Sequence, residues 1–67
     1  MITNRIKEIR EIKGYTQIDL ASMVQVSRQT IISLEKGSYN PTLELAFKIS
    51  IALDANINDI FMMEDEK

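Results

Sequence analysis

The stretch from Thr16 to Lys36 constrains this chain more than any other. Leu20 is followed by the small Ala21 and then by Val24. Val26 sits just beyond an interruption, and Ile31 and Leu34 come next, three residues apart. Apolar residues recurring every three or four positions mark a helix with one buried face, so these residues describe two short helices in succession. Thr16 followed by Asp19 has the form of a capping box, with Asp in place of the usual Glu. Ser27 is a good N-cap for the second helix, and Gly37 a good terminator. Little chain is left between the two. Helices joined so tightly must cross closely, which calls for a small residue where they meet (Ala21) and apolar residues on both sides of the turn (Val24, Val26).

If Ile31 and Leu34 point inward, the outer face of the second helix presents Ser27, Arg28, Gln29, Thr30 and Ser33. All are hydrogen-bonding residues and none is a large apolar one. A helix laid in the major groove of DNA needs such a face, since Arg pairs with guanine edges and Gln with adenine edges. The same spacing also fits a helical hairpin whose polar face is simply solvated.

The rest of the chain reads as further helices. Ile2, Ile6, Ile9 and Ile12 form a stripe that predicts a first helix over about Asn4 to Lys13, stopped at Gly14. A fourth runs from about Leu43 to Leu53. Asn56 with Asp59 again resembles a capping box and opens a short fifth helix through Phe61. Residues 62–67 are unassigned, Met62-Met63 either continuing as a short extended piece or dangling. With no other useful strand in view, the fold class is all-α, five helices in one domain spanning the 67 residues.

A core this small supplies only about 3–5 kcal/mol unless something reinforces it. The chain has no cysteine and no histidine, which rules out a disulfide and a thiolate metal site and leaves little basis for zinc. Helix packing and oligomerisation remain. Helix four is apolar almost all round (Leu43, Leu45, Ala46, Phe47, Ile49, Ile51, Ala52, Leu53), and Ile57, Ile60, Phe61, Met62 and Met63 add more apolar surface nearby. A one-sided helix needs only a stripe. The surplus is read as a homodimer interface formed by helix five, its flanks and the C-terminal residues, about 54–64.

Charge sets a further condition. The net charge is −2, which by itself disfavours a polyanionic partner. Its distribution matters more. Residues 1–53 hold seven Lys/Arg against five Asp/Glu, and residues 54–67 hold five Asp/Glu against one Lys. The acidity is concentrated at the C-terminal end, where a DNA-bound domain could direct it away from phosphate. Enzyme chemistry finds no support: there is no paired carboxylate constellation and no glycine-rich phosphate loop. No cofactor is implied. Arg5, Lys7, Glu8, Arg10 and Glu11 interrupt the first fifteen residues, so no signal-peptide segment is expected. No apolar run is long enough to span a bilayer, and the expectation is a soluble cytoplasmic protein.

Thr16-Gln17-Ile18-Asp19-Leu20-Ala21, Val26-Ser27-Arg28-Gln29-Thr30-Ile31, Leu34-Glu35-Lys36-Gly37, Asn40-Pro41 and Leu43-Glu44-Leu45 together resemble the Cro/CI-type (XRE) helix-turn-helix family of repressors, most closely its short single-domain members. The resemblance covers about residues 4–61. It implies a five-helix, lambda-repressor-like DNA-binding domain and homodimers on palindromic double-stranded operators. It also implies that Gln17 binds a phosphate and buttresses the recognition helix, and that Ser27, Arg28, Gln29, Thr30 and Ser33 face bases or the adjoining backbone. Lys36, Tyr39 and Asn40 would contact phosphate after that helix, and Arg10 with Glu35 would form an interior ion pair rather than a DNA contact. The family usually carries glycine where this chain has Gln25. The reading is therefore a dimeric transcriptional regulator, most simply a repressor that occludes a promoter, with no small-molecule effector evident. The other reading is a protein-interaction module, such as an antitoxin-like partner or adaptor, that keeps the fold without specific DNA binding.

Overall fold

In a computed structural model that describes residues 1–64, five helices carry a two-stranded sheet at one end. The order is β1 (Ile2–Asn4), α1 (Ile6–Ile12), α2 (Gln17–Val24), α3 (Arg28–Lys36), α4 (Leu43–Leu53), α5 (Ile57–Ile60) and β2 (Phe61–Met63). Residues 65–67, part of the acidic run, lie outside the described residues.

Local chemistry accounts for most boundaries. Thr16 Oγ1 accepts from Asp19 N at 3.0 Å while Thr16 N donates to Asp19 Oδ2 at 2.9 Å, a reciprocal capping box. Ser27 and Thr42 cap α3 and α4, accepting from Thr30 N and Leu45 N. Gly37, at φ 78°, ends α3 in the left-handed region that a residue without Cβ adopts freely. The α2–α3 turn passes through Gln25 at φ 63°, ψ 44°, and α4 ends at Asp54 at φ 51°. Both are left-handed positions filled by residues with a Cβ.

Three expectations about element ends are corrected. The first helix begins at Ile6, not near Asn4, because β-branched Ile2 and Thr3 lie extended against β2. Ile2 thus leaves the helical stripe, and Ile12, 73% exposed, faces outward from the last turn of α1. At α5 the Asn56 side chain makes no capping bond; the short helix is closed by the Asp59 N–H donating to the Asn56 carbonyl at 2.9 Å. Phe61 leaves the helix, and with Met62 and Met63 it forms β2. The strands are antiparallel, with Ile2 opposite Met63, Thr3 opposite Met62 and Asn4 opposite Phe61. Arg5 N bonds Ile60 O at one end of the pairing and Glu64 N bonds Met1 O at the other, both at 2.8 Å.

The core draws on every helix: Ile6 and Ile9 from α1, Leu20, Ala21 and Val24 from α2, Ile31 and Leu34 from α3, Ile49 and Leu53 from α4, Ile60 from α5. Ala21 of α2 is buried in this core, and a larger side chain there would overpack it.

Candidate nucleic-acid interface

The placement of α3 begins with a charge inside the protein. Arg10 Nε donates to Glu35 Oε2 at 2.7 Å and Nη2 to Glu35 Oε1 at 3.3 Å, while Nη1 donates to the Tyr15 carbonyl at 2.8 Å. Only 7% of the Arg10 side chain and 6% of the Glu35 side chain meet solvent. The hydrogen bond that Arg10 donates to Glu35 is the largest influence holding the guanidinium in its charged form. Gln17 Nε2 adds a third donor to Glu35, reaching Oε1 at 3.1 Å. One carboxylate on α3 is thereby tied to α1 and to the first residue of α2, and Arg10 carries the link on to the loop between them. Among the described residues no buried side-chain polar atom lacks a partner, which such a network requires to be tolerated in a core.

With its inner face fixed, α3 turns Arg28, Gln29 and Lys36 to solvent, with Thr30 and Ser33 partly exposed on the flanks. Ser27 and Thr30 are already engaged. Ser27 Oγ accepts from Thr30 N at 3.2 Å and lies 3.0 Å from Thr30 Oγ1, so these two set the start of the helix as much as they face outward. Arg28 lines one shallow depression with Gly14, Tyr15, Thr16, Gln17 and Ile18, which brings the starts of α2 and α3 onto one surface. Asp19, beside it, is committed to the cap: its hydrogen bond from the Thr16 backbone holds its carboxyl below the usual range. Tyr39, 43% exposed, and Asn40 follow in the loop after α3. Arg5 pairs with Glu8 at 3.0 Å on the outside of α1.

Sequence reasoning missed one outward residue. Ile32 is only partly buried and is not among the residues packed on the core; three positions from Gln29 and four from Arg28, it shares their side of the helix. Ile31 and Leu34 took the inward role in the apolar pattern, and nothing in that pattern distinguishes an outward Ile from an inward one.

The residues expected at a dimer interface separate in the structure. Met63 is 71% exposed, and Ile57, Phe61 and Met62 are partly exposed. Ile60 is fully enclosed in the chain's own core and is removed from the set, because the last turn of α5 points it beneath the helices. Much of the exposed apolar surface lies instead on α4, where Leu43, Phe47 and Ile51, 70%, 52% and 78% exposed, run in line at four-residue intervals. Beside them is a groove lined by Ile2, Pro41, Leu43, Ala46, Ile57 and Phe61. The all-round apolarity of helix four signalled this surplus, although it was assigned to helix five.

Two helices crossing at a left-handed turn, the second anchored inside and largely polar outside, define a helix-turn-helix domain. A helix-turn-helix family model matches residues 6–60. An HTH-type transcriptional regulator of Archaeoglobus fulgidus is 51% identical over 63 residues, covering 94% of this chain and 90% of the relative. One from Methanocaldococcus jannaschii is 50% identical over 64 residues, covering 96% and 97%. Among solved structures, the N-terminal DNA-binding domain of SinR from Bacillus subtilis superimposes with a TM-score of 0.73 at 33% identity, covering 81% of this chain and 80% of that one; SinR in complex with DNA gives 0.75 at the same identity. The chain belongs to the helix-turn-helix family of Cro/CI-type DNA-binding transcriptional regulators. Among the described residues no helix is long and apolar enough to cross a membrane.

Proposed function

We propose that this protein is a sequence-specific repressor that binds a palindromic operator as a homodimer, with α3 in the major groove. The observation that carries the reading is the division of α3: Glu35 is locked inside by Arg10 and Gln17, while Arg28 and Gln29 stand free outside. Arg28, Gln29 and Ser33 read base edges, with Ser27 and Thr30 at the adjoining backbone. Ile32 adds an apolar contact suited to a thymine methyl group. Gln17 at the start of α2, with Lys36, Tyr39 and Asn40 after α3, meets phosphate and sets the register. Two copies joined through Ile57, Phe61, Met62 and Met63, extended by Leu43 and Phe47, would place their recognition helices about 34 Å apart, one turn of DNA. Such a dimer occludes a promoter simply by occupying it.

The test is a gel shift of the purified protein against its own upstream region, repeated across salt concentrations. Retardation of that duplex over an unrelated one, with affinity falling steeply as salt rises, is the expected result. Equal binding to both duplexes, or none, sinks the specific-operator reading and favours a protein-interaction module on the same fold.

A further inference from the structure

Asn4 lies on β1 opposite Phe61 of β2, and both ends of its side-chain amide are in use. Oδ1 accepts from Ile6 N at 3.1 Å, steadying the start of α1, and Nδ2 donates to the Leu34 carbonyl at 2.9 Å. The Leu34 carbonyl also accepts from Gly37 N at 3.0 Å. It belongs to the last turn of α3, where carbonyls have run out of donors within their own helix and where the chain swings through Gly37 toward Ser38, Tyr39 and Asn40. The Asn4 backbone is held in turn by strand pairing and by the neighbouring bond from Arg5 N to Ile60 O. A continuous set of hydrogen bonds therefore leads from β2 through β1 to the end of α3. A primary amide is required at this point, because one end must accept and the other must donate.

We infer that Asn4 is a positioning residue for DNA binding: through its bond to Leu34, the pairing of β1 with β2 sets the last turn of α3 and the course of the segment bearing Lys36, Tyr39 and Asn40. The inference rests on the reading of that segment as a DNA contact. It makes strand pairing and DNA binding linked equilibria, so that loosening the sheet weakens binding and bound DNA tightens the sheet.

Asn4→Ser and Asn4→Asp separate this link from ordinary stability. Both keep an oxygen able to accept from Ile6 N. The Asp carboxylate has no donor for the Leu34 carbonyl, and the Ser hydroxyl, one bond shorter than the amide, ends short of it; Ser adds no charge near phosphate. Amide exchange of the free protein and titration of the upstream duplex are then compared with the parent. The expected result is exchange about tenfold faster at Gly37 and Ser38 in both variants, with Val24 and Ile49 unchanged. Operator affinity of Asn4→Ser is expected to fall about three- to tenfold. Unchanged exchange at Gly37 and Ser38 overturns the inference, as does uniform acceleration that includes the core amides. Local acceleration with undiminished affinity overturns the functional part. Failure of the parent to prefer its upstream duplex would instead refute the DNA reading, while the exchange measurements still decide whether the link exists.

Discussion

Gln25 occupies the α2–α3 turn at φ 63°, where a Cβ costs roughly 1–2 kcal/mol. Glycine removes that strain, and its greater freedom in the unfolded chain offsets part of the gain. Gln25→Gly is therefore expected to raise the melting temperature by a few degrees; a fall would show that the Gln side chain contributes more than its backbone conformation costs. Glu35 is the opposite case. Its removal leaves the Arg10 guanidinium buried without its carboxylate, a loss of about 3–5 kcal/mol, comparable to the whole stability of a small domain. Glu35→Ala should be largely unfolded near physiological temperature by circular dichroism, and an undiminished melt would show the pair to be dispensable. On the outer face, Arg28→Ala and Gln29→Ala should fold as the parent does and each lose about 1–3 kcal/mol of binding at particular base pairs. Ile32→Ala should lose affinity on a thymine-containing operator and nothing when that thymine is replaced by uracil, which lacks the methyl. If Arg28→Ala and Gln29→Ala bind as well as the parent, the assignment of α3 to the groove is wrong.

At the scale of elements, the Thr16–Asp19 box makes α2 sensitive to acid. Asp19 has a lowered pKa in the folded chain, so the stability it contributes is present above its unfolded value of about 3.9 and is lost as pH falls through the lower folded value. The difference in melting temperature between the parent and Asp19→Ala should be clear at neutral pH and close in strong acid; a difference independent of pH would mean that the carboxylate is not the active group. Caps of this kind are also what made the helices legible. Thr16, Ser27 and Gly37 act within a few residues of themselves, and α4 spans Leu43–Leu53 as the sequence pattern predicts. Met62-Met63 was open to reading as a short extended piece, as β2 shows it to be, but the pairing of the sheet was not legible. Each strand has three residues, too few for a period-two pattern, and their partners lie some sixty positions apart in the chain. Asn4 was hidden for the same reason: its partner Leu34 is thirty residues away. Helix four concealed the direction of its own faces, because a helix apolar all round does not say which side is covered.

As a whole the molecule is elongated, 37 × 21 × 20 Å, with the outer face of α3 polar apart from Ile32 and with apolar area on α4 and at the sheet. A dimer through Met63, Leu43 and Phe47 would give a sedimenting species of twice 7.7 kDa at micromolar concentration. Phe47→Glu, at a position already 52% exposed, should keep the fold and shift the species to the monomer, with weaker operator binding. A parent that sediments as a monomer would refute the dimer.

Among the described residues, the side chains of Arg28, Gln29 and Lys36 make no hydrogen bond to the rest of the chain, whereas Ser27, Thr30 and Glu35 do. The residues assigned to reading DNA and those that hold the reader in place are thus almost separate sets. Selection can rewrite the first without disturbing the second, so descendants of one such scaffold can diverge to new target sites through single, thermodynamically neutral steps, each remaining a folded protein along the way.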